Sequence, residues 1–379
     1  MVNSYLSFRA DVAIRIPLYD TVKENRQFAA DFHAALDRVL ASGRFALGNE
    51  LGTFESALAQ YCGTDHAVGL KSGTDALILT MKALGIGAGD EVITTPFTFF
   101  ASVEAIIQVG AKPVFADIEA GTLCLSPDTC AAAITPATKA VLLVHVFGHC
   151  ANIECFQSLC EDNSIRLVED AAQSIGSTWN GRPLGSFGAA GTFSFYPTKN
   201  LSALGDAGAV VTSDEKLADM LRQLRSHGRD AIGRHACLGY NSHMDELQAA
   251  FLSVKLGHLD AELARRRELA ARYDKGLPPE AGRVHGADGC VSNYHQYAIR
   301  TDRRDALRQF LAEQGIGTGD YYPVPAYREP AAATTGAFAP LPETERACME
   351  VMTLPIRPSL TDAQQESVIG AVRRFFAGV

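Results

Sequence analysis

Short apolar runs alternate with helical patterns over the first two thirds of the chain, and this alternation leaves few folds open to it. Strands are predicted at 67–70, 91–95, 112–116, 140–145, 166–169, 190–195 and 209–212. Helices are predicted between them at 73–84, 102–108, 127–134, 153–161 and 215–226. Several strands, such as 140–144, are apolar at every position, which is typical of strands buried on both faces of a parallel sheet. The pattern predicts a doubly wound α/β domain with a mostly parallel sheet.

A long helical pattern over about 244–273 follows this region and is predicted to connect two domains. After it come a predicted strand at 294–300, a helix at 304–314, a proline-rich loop at 322–342 and a terminal helix from Thr361. The sequence therefore predicts three parts. These are an N-terminal extension over 1–16, a large domain over 17–250 and a smaller C-terminal α/β domain over 251–379.

Charge and cysteine content limit the partners and the compartment. The 379-residue chain has 34 Lys and Arg against 43 Asp and Glu, and its net charge of −9 speaks against nucleic-acid binding. Nine cysteines without a Cys-x-x-Cys pair favour free thiols in a reducing compartment over a metal site. The N-terminus is unlike a signal peptide, and every apolar run is too short to span a bilayer. We expect a cytoplasmic protein that binds neither nucleic acid nor membrane.

One lysine, Lys199, follows a predicted strand directly, and Asp170 ends another. Either residue alone is more simply a surface lysine or a helix-capping aspartate. Together they fit pyridoxal 5′-phosphate (PLP) chemistry, in which a lysine forms a Schiff base and an acid pairs with the protonated pyridine nitrogen. Gln173 would face the same way as Asp170 on a helical turn and could reach the phenolic oxygen of the ring.

The stretch 71–77 joins a predicted strand to a helix and contains Gly73 and Thr74. Small residues let the backbone approach a ligand, and the free amides of a helix N-terminus bind phosphate. Ser194, at the end of the strand before the lysine, could bring its hydroxyl to the same phosphate. Of the three phenylalanines within 97–100, we expect one to stack on a flat heterocycle and two to pack in the core.

Two further features lie near the end of the large domain. The first is a basic cluster that fits either a solvated helix face or a diphosphate site, made of Arg222, Arg225, His227, Arg229 and Arg234. The second is the stretch 239–248, where Asn241 or Ser242 would cap the next helix if the local pattern alone is considered.

In this order and spacing, the motifs resemble those of the DegT-type nucleotide-sugar aminotransferases, which are fold-type I PLP enzymes. The matching stretches are 72–77, 96–102, 168–176, 192–200, 205–210 and 239–249, and the similarity runs from about residue 17 to the C-terminus. The resemblance implies a fold-type I architecture, with a doubly wound, mostly parallel sheet and a smaller C-terminal α/β domain. It also implies PLP as the cofactor.

The resemblance assigns a role to each matching position. Lys199 would be the Schiff-base lysine and would move the proton during transamination, and Asp170 would pair with the pyridine nitrogen. Phe99 matches the aromatic that stacks on the ring, whereas Phe97 is one step off that register. The other cofactor contacts would be Gly73, Thr74 and Ser194 at the phosphate, Gln173 at the ring oxygen, and Asn241, which would reach the phosphate in the neighbouring subunit. An obligate homodimer with two shared sites would follow.

The lysine motif 195–201, followed by Gly205-Asp206, is most similar to members that act at C3 of a keto sugar. The implied reaction moves an amino group, with glutamate as the expected donor, to a nucleotide-linked 3-keto sugar through pyridoxamine phosphate. The resemblance places three residues near the sugar nucleotide: Tyr196, Arg229 and Tyr322. Three residues depart from the family pattern, namely Ser202, Tyr321 and Tyr327.

Other functions remain open at this point. A 4-keto sugar nucleotide or cyclitol transaminase would share the fold and the lysine. A related dehydratase is disfavoured, because those relatives replace the lysine with histidine. A non-catalytic PLP-binding regulator would lack Lys199 or carry a DNA-binding extension, and the 16 residues before the matched region are too short for one. A plain α/β scaffold would bind no cofactor.

Overall fold

The computed structural model describes residues 14–332, 336 and 338–378. Its helices are α1 (Thr21–Arg26), α2 (Ala29–Ser42), α3 (Asn49–Cys62), α4 (Gly73–Ala83), α5 (Ala101–Gln108), α6 (Pro127–Ala132), α7 (Ile153–Asp162), α8 (Glu215–Leu224), α9 (Glu246–Leu256), α10 (Leu259–Gly276), α11 (Arg304–Glu313), α12 (Pro342–Glu350) and α13 (Asp362–Ala377). Its strands are β1 (His66–Leu70), β2 (Glu91–Thr94), β3 (Lys112–Phe115), β4 (Thr138–Val144), β5 (Arg166–Asp170), β6 (Thr178–Trp179), β7 (Arg182–Pro183), β8 (Ala190–Ser194), β9 (Gly208–Thr212), β10 (Cys290–Val291), β11 (Tyr297–Arg300) and β12 (Val351–Leu354).

The central sheet has seven strands in the order β1-β9-β8-β5-β4-β2-β3. Only β9 within it runs antiparallel to its neighbours, β1 and β8, while β8, β5, β4, β2 and β3 pair in parallel. The prediction of a mostly parallel sheet is therefore confirmed. All seven predicted strands of the large domain occur, with ends that differ by one or two residues.

Helices cover both faces of the sheet, and the side chains of β4 show why its sequence is apolar over residues 140–144. Leu142 packs in the cluster that contains residues of α4, α5 and α8. Val141 and Leu143 point to the opposite face and pack with residues of α6 and α7. A strand whose alternate residues enter two cores needs apolar residues at every position.

A separate hydrophobic cluster lies in the C-terminal part, where α10, α11 and α13 pack on the pair β11–β12. The N-terminal segment joins this part: Ile16 bridges Ile316, and the Arg357 guanidinium donates to the Pro17 carbonyl. Most of the predicted extension over 1–16 lies outside the described residues. The division between a large and a small domain at residues 250 and 251 stays a prediction.

The prediction of one continuous helix over 244–273 is wrong, since two separate helices, α9 and α10, lie between residues 246 and 276. Gly257 and His258 separate them, and the His258 amide donates to the Lys255 carbonyl in a tighter, three-residue turn. Glycine has low helix propensity, and here it lies at the point where the helical hydrogen bonding is interrupted.

Several elements had no prediction. The helices α1, α2 and α3 precede the first predicted strand, and α12 and β12 lie in the stretch assigned to loop or left unassigned. The helix α2 buries only Phe32, Ala35 and Val39, and α1 buries no residue. The helix α1 therefore gives no periodic signal, whereas Phe32, Leu36 and Val39 of α2 lie at the three- and four-residue spacing of a helix and were an available signal.

All nine cysteines are free thiols, as the sequence predicted, and six of them are buried: Cys62, Cys124, Cys130, Cys150, Cys160 and Cys348. Across the part of the chain that the structure describes, each helix is too short or too polar to cross a bilayer.

Candidate active site

Several of the predicted site residues lie at one edge of the central sheet. Gly73 follows β1, Asp170 ends β5 and Ser194 ends β8, so these residues lie at the carboxyl ends of three strands. Gly208, the first residue of the antiparallel strand β9, pairs with Ser194 and lies at the same edge. Ligands of open α/β sheets bind outside the carboxyl ends of the strands, which is the position found here.

Lys199 lies on the loop after β8, where its backbone amide donates to the Tyr196 carbonyl at 2.8 Å. Burial lowers the pKa of the Lys199 amine to about 8, and the nearby negative charge of Asp170 opposes this shift. An amine with this pKa is neutral in a sizeable fraction of molecules near pH 7. Only the neutral amine is a nucleophile, so the surroundings of Lys199 favour reaction with an aldehyde.

Asp170 is 6% exposed, and two donors orient its carboxylate. The Ser102 hydroxyl donates to Oδ2 at 2.7 Å, and the Ala172 amide donates to Oδ1 at 3.1 Å. A carboxylate has about four acceptor positions, so two of them are left for a further donor. A buried carboxylate without a cationic partner is costly, and a protonated ring nitrogen would supply that partner.

Gln173 is fixed in orientation by its two neighbours. Its side-chain oxygen accepts from the Phe147 amide at 2.7 Å, so the amide nitrogen must face the other way, where it donates to the Tyr322 hydroxyl at 2.7 Å. Phe147 has a φ of 60°, a left-handed conformation that is strained for a residue with a side chain. One N–H of Gln173 is left for a ring oxygen, as the prediction requires.

The turn from β1 into α4 forms a cradle at this edge. Ser72 caps α4 by accepting from the Asp75 amide, whereas the amides of Gly73 and Thr74 have no acceptor among residues 14–332, 336 and 338–378. A Cβ on Gly73 would lie 2.6 Å from the Ser194 Cβ, so only glycine allows this turn to approach Ser194. The two amides and the Ser194 hydroxyl can therefore face one phosphate.

The phenylalanines divide as predicted between surface and core. Phe99 is 63% exposed, whereas Phe97 is completely buried and packs against Phe147 and Tyr322. Phe100 is partly buried against a small apolar cluster. The backbone carbonyl of Phe99 accepts from the Ser102 amide, and the Ser102 hydroxyl contacts Asp170, so the backbone of Phe99 is linked to the Asp170 carboxylate through Ser102.

The residues predicted to bind substrate lie farther out. Tyr196 is 40% exposed beside the Lys199 loop, and Tyr322 reaches Gln173 from the C-terminal part of the chain. Arg229 is exposed and forms a short backbone bridge with His235. Asn241 is also exposed. The helix α9 begins at Glu246 with Asp245 at the cap position, so the alternative in which Asn241 or Ser242 caps it is wrong.

The basic cluster is not one continuous binding surface. Arg225 is 7% exposed, pairs with Glu55 and donates to the Gly69 carbonyl, so it holds the fold together. Two others have acidic partners on the surface, in the pairs Arg222–Asp219 and Arg234–Asp230. This leaves Arg229 as the arginine of the cluster without an ion pair in the described structure.

Sequence reasoning missed the residues that support the site from behind. Glu169 is fully buried and accepts from His145 at 2.8 Å and from the amides of Gly185, Phe187 and Gly188. Burial opposes its charge, but these hydrogen bonds outweigh that effect and lower the pKa of Glu169. Glu169 and Asp170 are neighbours on β5, so anchoring Glu169 also fixes the direction of Asp170. The adjacent acids in the sequence were the available signal.

The site fits PLP in charge and in hydrogen-bonding capacity, since it combines a lysine, an aspartate, a phosphate cradle and an exposed aromatic side chain. A mostly parallel sheet with such a site at the carboxyl ends of its strands defines the class of fold-type I PLP-dependent enzymes. A sequence model of the DegT/DnrJ/EryC1/StrS aminotransferase family matches residues 26–373. The chain belongs to this family.

Individual relatives are similar over nearly the whole chain. A pleiotropic regulatory protein of Geobacillus stearothermophilus is 41% identical, over 96% of this chain and 99% of its own length. The dTDP-3-amino-3,4,6-trideoxy-alpha-D-glucose transaminase of Streptomyces venezuelae is 43% identical, over 98% of both chains. The crystal structure of S. venezuelae DesV, also 43% identical, gives a TM-score of 0.92 over 95% of this chain and 98% of that one.

Proposed function

We propose that the protein transfers an amino group from an amino acid, with glutamate as the donor, to a nucleotide-linked 3-keto sugar. The observation that supports this most directly is the placement of Lys199, with its lowered pKa, beside the oriented carboxylate of Asp170. PLP, when bound, supplies an electron sink for the carbon that loses or gains a proton. Because the pKa of Lys199 is about 8, its amine can both accept and return that proton near neutral pH.

The other residues of the site position the reactants. Gly73, Thr74 and Ser194 would hold the phosphate, and Phe99 would cover one face of the ring. Asp170 would keep the ring nitrogen protonated, since an opposite charge at close range favours the charged form. This chain has Lys199 together with the residues proposed to hold the cofactor. The combination favours catalysis over a purely regulatory role, although one relative is named a regulatory protein.

The choice of a 3-keto sugar rests on the relatives and on the lysine motif. The S. venezuelae relative at 43% identity is named a 3-amino sugar transaminase. The motif 195–201 in this chain has the features expected of enzymes that act at that carbon. Relatives at 37% and 38% identity are likewise named for a 3-oxo or 3-dehydro sugar, which favours the 3-keto substrate over the 4-keto and cyclitol alternatives.

A panel of keto-sugar nucleotides tests the proposal. The pyridoxamine phosphate form of the protein, prepared with excess glutamate, should aminate 3-keto sugar nucleotides and return to the PLP form, which is followed by visible absorbance. We expect the matched 4-keto compounds to react at least about tenfold more slowly, the discrimination that one lost hydrogen bond gives. Faster reaction with a 4-keto sugar would contradict the assignment of the carbon, and no reaction with any member would contradict the proposed function.

We also propose that the active unit is a homodimer with two shared sites. Three exposed apolar side chains, Phe45, Leu47 and Leu204, surround the first turn of α9. The Phe45 carbonyl accepts from the Glu246 amide, and the Leu204 amide donates to Gln248, which keeps the three in one area. Exposed apolar side chains grouped in this way are typical of a surface that another protein covers.

Asn241 lies close to this apolar area, five residues before α9. The neighbouring residue Ser242 donates to Asp75 in the first turn of α4, so the strand-like segment that carries Asn241 passes beside the phosphate cradle. Its side chain is exposed and available to a second copy of the chain. We therefore assign Asn241 to the phosphate of the neighbouring site.

Subunit exchange tests this assignment. Lys199→Ala and Asn241→Asp should each be weakly active alone, since Asp would repel the phosphate. After exchange in a 1:1 mixture, random pairing should restore about one quarter of the wild-type activity, because half of the dimers would contain one intact site. The matched control is Lys199→Ala mixed with Asp170→Asn. Lys199 and Asp170 come from the same chain, so each site of the mixed dimer keeps one defect and no rescue is expected. Proven exchange without rescue of the Asn241 mixture would place Asn241 in its own chain's site or outside it.

Arg229, Tyr196 and Tyr322 complete the proposal on the substrate side. Arg229 has no acidic partner in the described structure and is free to bind a diphosphate. The Tyr196 carbonyl accepts from the Lys199 amide and the Tyr322 hydroxyl accepts from Gln173, and these contacts support the proposal that both tyrosines lie near the sugar. The nine free thiols favour a reducing compartment, so we place the protein in the cytoplasm.

A further inference from the structure

Three tyrosines from distant parts of the chain contact one another in a row that ends at Gln173. The Tyr322 hydroxyl accepts from Gln173, and the Tyr322 ring lies 5.7 Å from that of Tyr321. The Tyr321 hydroxyl is 2.9 Å from the hydroxyl of Tyr19, which belongs to the segment before α1. The Gln296 side chain, from the segment before β11, donates to Tyr19 at 2.6 Å.

Counting protons shows that the Tyr322 hydroxyl has a hydrogen bond left to donate. The Phe147 amide fixes the Gln173 oxygen, so Gln173 meets Tyr322 through its N–H and the Tyr322 oxygen is the acceptor. The hydroxyl proton of Tyr322 therefore stays with its own oxygen. That proton has no acceptor within residues 14–332, 336 and 338–378.

The pair Tyr19–Tyr321 also has one proton to donate. Tyr19 accepts from Gln296, so if it donates to Tyr321, the Tyr321 proton is left over. If Tyr321 donates instead, the Tyr19 proton is left over. Either direction leaves one O–H group of this pair without an acceptor in the described part of the chain. The row thus offers two hydroxyl donors, both partly buried, next to Gln173.

We infer that Tyr19, through its pair with Tyr321, is a specificity-determining residue. The free O–H of this pair donates a hydrogen bond to one hydroxyl or carbonyl oxygen of the sugar. This inference rests on the proposed function and specifies how its substrate is selected. A buried donor that finds no acceptor costs free energy, so a sugar that lacks the oxygen at this position should bind less well than one that has it.

A sugar oxygen suits this row better than the carboxylate of the amino donor. Carboxylates in buried sites are usually met by arginine, which binds them with two parallel hydrogen bonds. The two buried arginines of this region direct Nη1 to backbone carbonyls, Arg357 to that of Pro17 and Arg266 to those of Tyr294 and Ile356. Neutral hydroxyls both donate and accept, which matches the hydroxyl groups of a sugar.

The test compares wild type with Tyr19→Phe on dTDP-linked 3-keto hexoses supplied as pairs that differ by one hydroxyl, at C2, C4 or C6. Wild type should prefer the hydroxylated member of one pair in kcat/KM. Tyr19→Phe should reduce that preference roughly tenfold, the factor that one ordinary hydrogen bond gives. The glutamate half-reaction, followed by absorbance in a single turnover, should stay within about twofold, because the inference assigns this row to the sugar and not to the donor.

Tyr61→Phe is the matched control, because it removes the hydroxyl that donates to Asp260 between α3 and α10 and should change neither measurement. Calorimetric Kd values for the amino-sugar nucleotide products give a second readout, and Tyr19→Phe should weaken only those that keep the recognised hydroxyl. If wild type aminates the panel and Tyr19→Phe leaves every ratio and Kd unchanged, the inference is overturned and the proposed function stands. If Tyr19→Phe slows the glutamate half-reaction instead, the tyrosine hydroxyls bind the amino donor and the inference is wrong. If wild type aminates none of the pairs, both fail.

Discussion

The Lys199→Ala variant should lose turnover by about 10⁴-fold or more, because one side chain supplies both the nucleophile and the proton-transfer group. Its fold should persist, since Lys199 lies on a loop and its backbone hydrogen bond to Tyr196 does not need the side chain. The measurement is steady-state transamination with glutamate, together with circular dichroism and retention of PLP. Lys216→Ala, an exposed lysine in the first turn of α8, is the control and should keep full activity.

The site of covalent attachment gives a second readout for the same prediction. Borohydride reduction of the wild type, followed by peptide mapping, should place the cofactor on Lys199. Lys255 is the informative alternative, because burial lowers the pKa of its amine as well. The Lys255 amine, however, donates to Ser202 and Asn25, and these contacts hold it away from reaction. Recovery of the cofactor on Lys255, or full turnover by Lys199→Ala, would contradict the assignment.

The sheet was predictable from sequence because burial on two faces leaves a local signature. The run 140–144 in β4 is apolar at every position, and a window of five residues is enough to recognise it. The six-residue helix α1 buries no residue, and the break at Gly257 interrupts a pattern whose spacing continues across it. Local periodicity describes which residues face a core, but it does not report where a helix ends.

The placement of three predicted site residues at one edge of the sheet could be anticipated for a different reason, while their roles stay predictions. Lys199, Asp170 and the turn at Gly73 follow directly after strands, and a parallel sheet brings its carboxyl ends together. The choice of Phe99 over Phe97 followed from the register of the resembling motif, and the exposures of 63% and 0% agree with it.

Contacts between residues that are far apart in the sequence could not be predicted from local patterns. Ser102 meets Asp170 across 68 positions, and Tyr19 meets Tyr321 across 302. No local pattern marks such a pair, because each residue is ordinary in its own surroundings. The same reason explains the basic cluster: Arg225 looked like its neighbours in sequence, and only its contact with Glu55, 170 positions away, identifies it as structural.

Asp170→Asn should lower kcat by about 10³-fold, the size of effect that loss of a single oriented charge at a reaction centre produces. Asparagine has the shape of aspartate, and its oxygen can still accept from the Ala172 amide while Ser102 turns to accept from its nitrogen. The fold should therefore be retained. The charge is lost, so the pKa of the bound ring nitrogen falls and the neutral ring withdraws electrons less effectively.

The two neighbours of Asp170 make this prediction specific. Ser102→Ala removes one hydrogen bond to the carboxylate and keeps its charge, so we expect a loss of only about tenfold. Asp170 also raises the pKa of Lys199 against the effect of burial, and Asp170→Asn should move that pKa below about 8. The pH dependence of PLP uptake by the cofactor-free protein reports this shift, because uptake needs the neutral amine and its midpoint should fall in the variant. Near-normal kcat in a folded, PLP-loaded Asp170→Asn protein would show that the carboxylate does not pair with the ring nitrogen. A Ser102→Ala protein as impaired as Asp170→Asn would show that the orientation of the Asp170 carboxylate matters more than its charge.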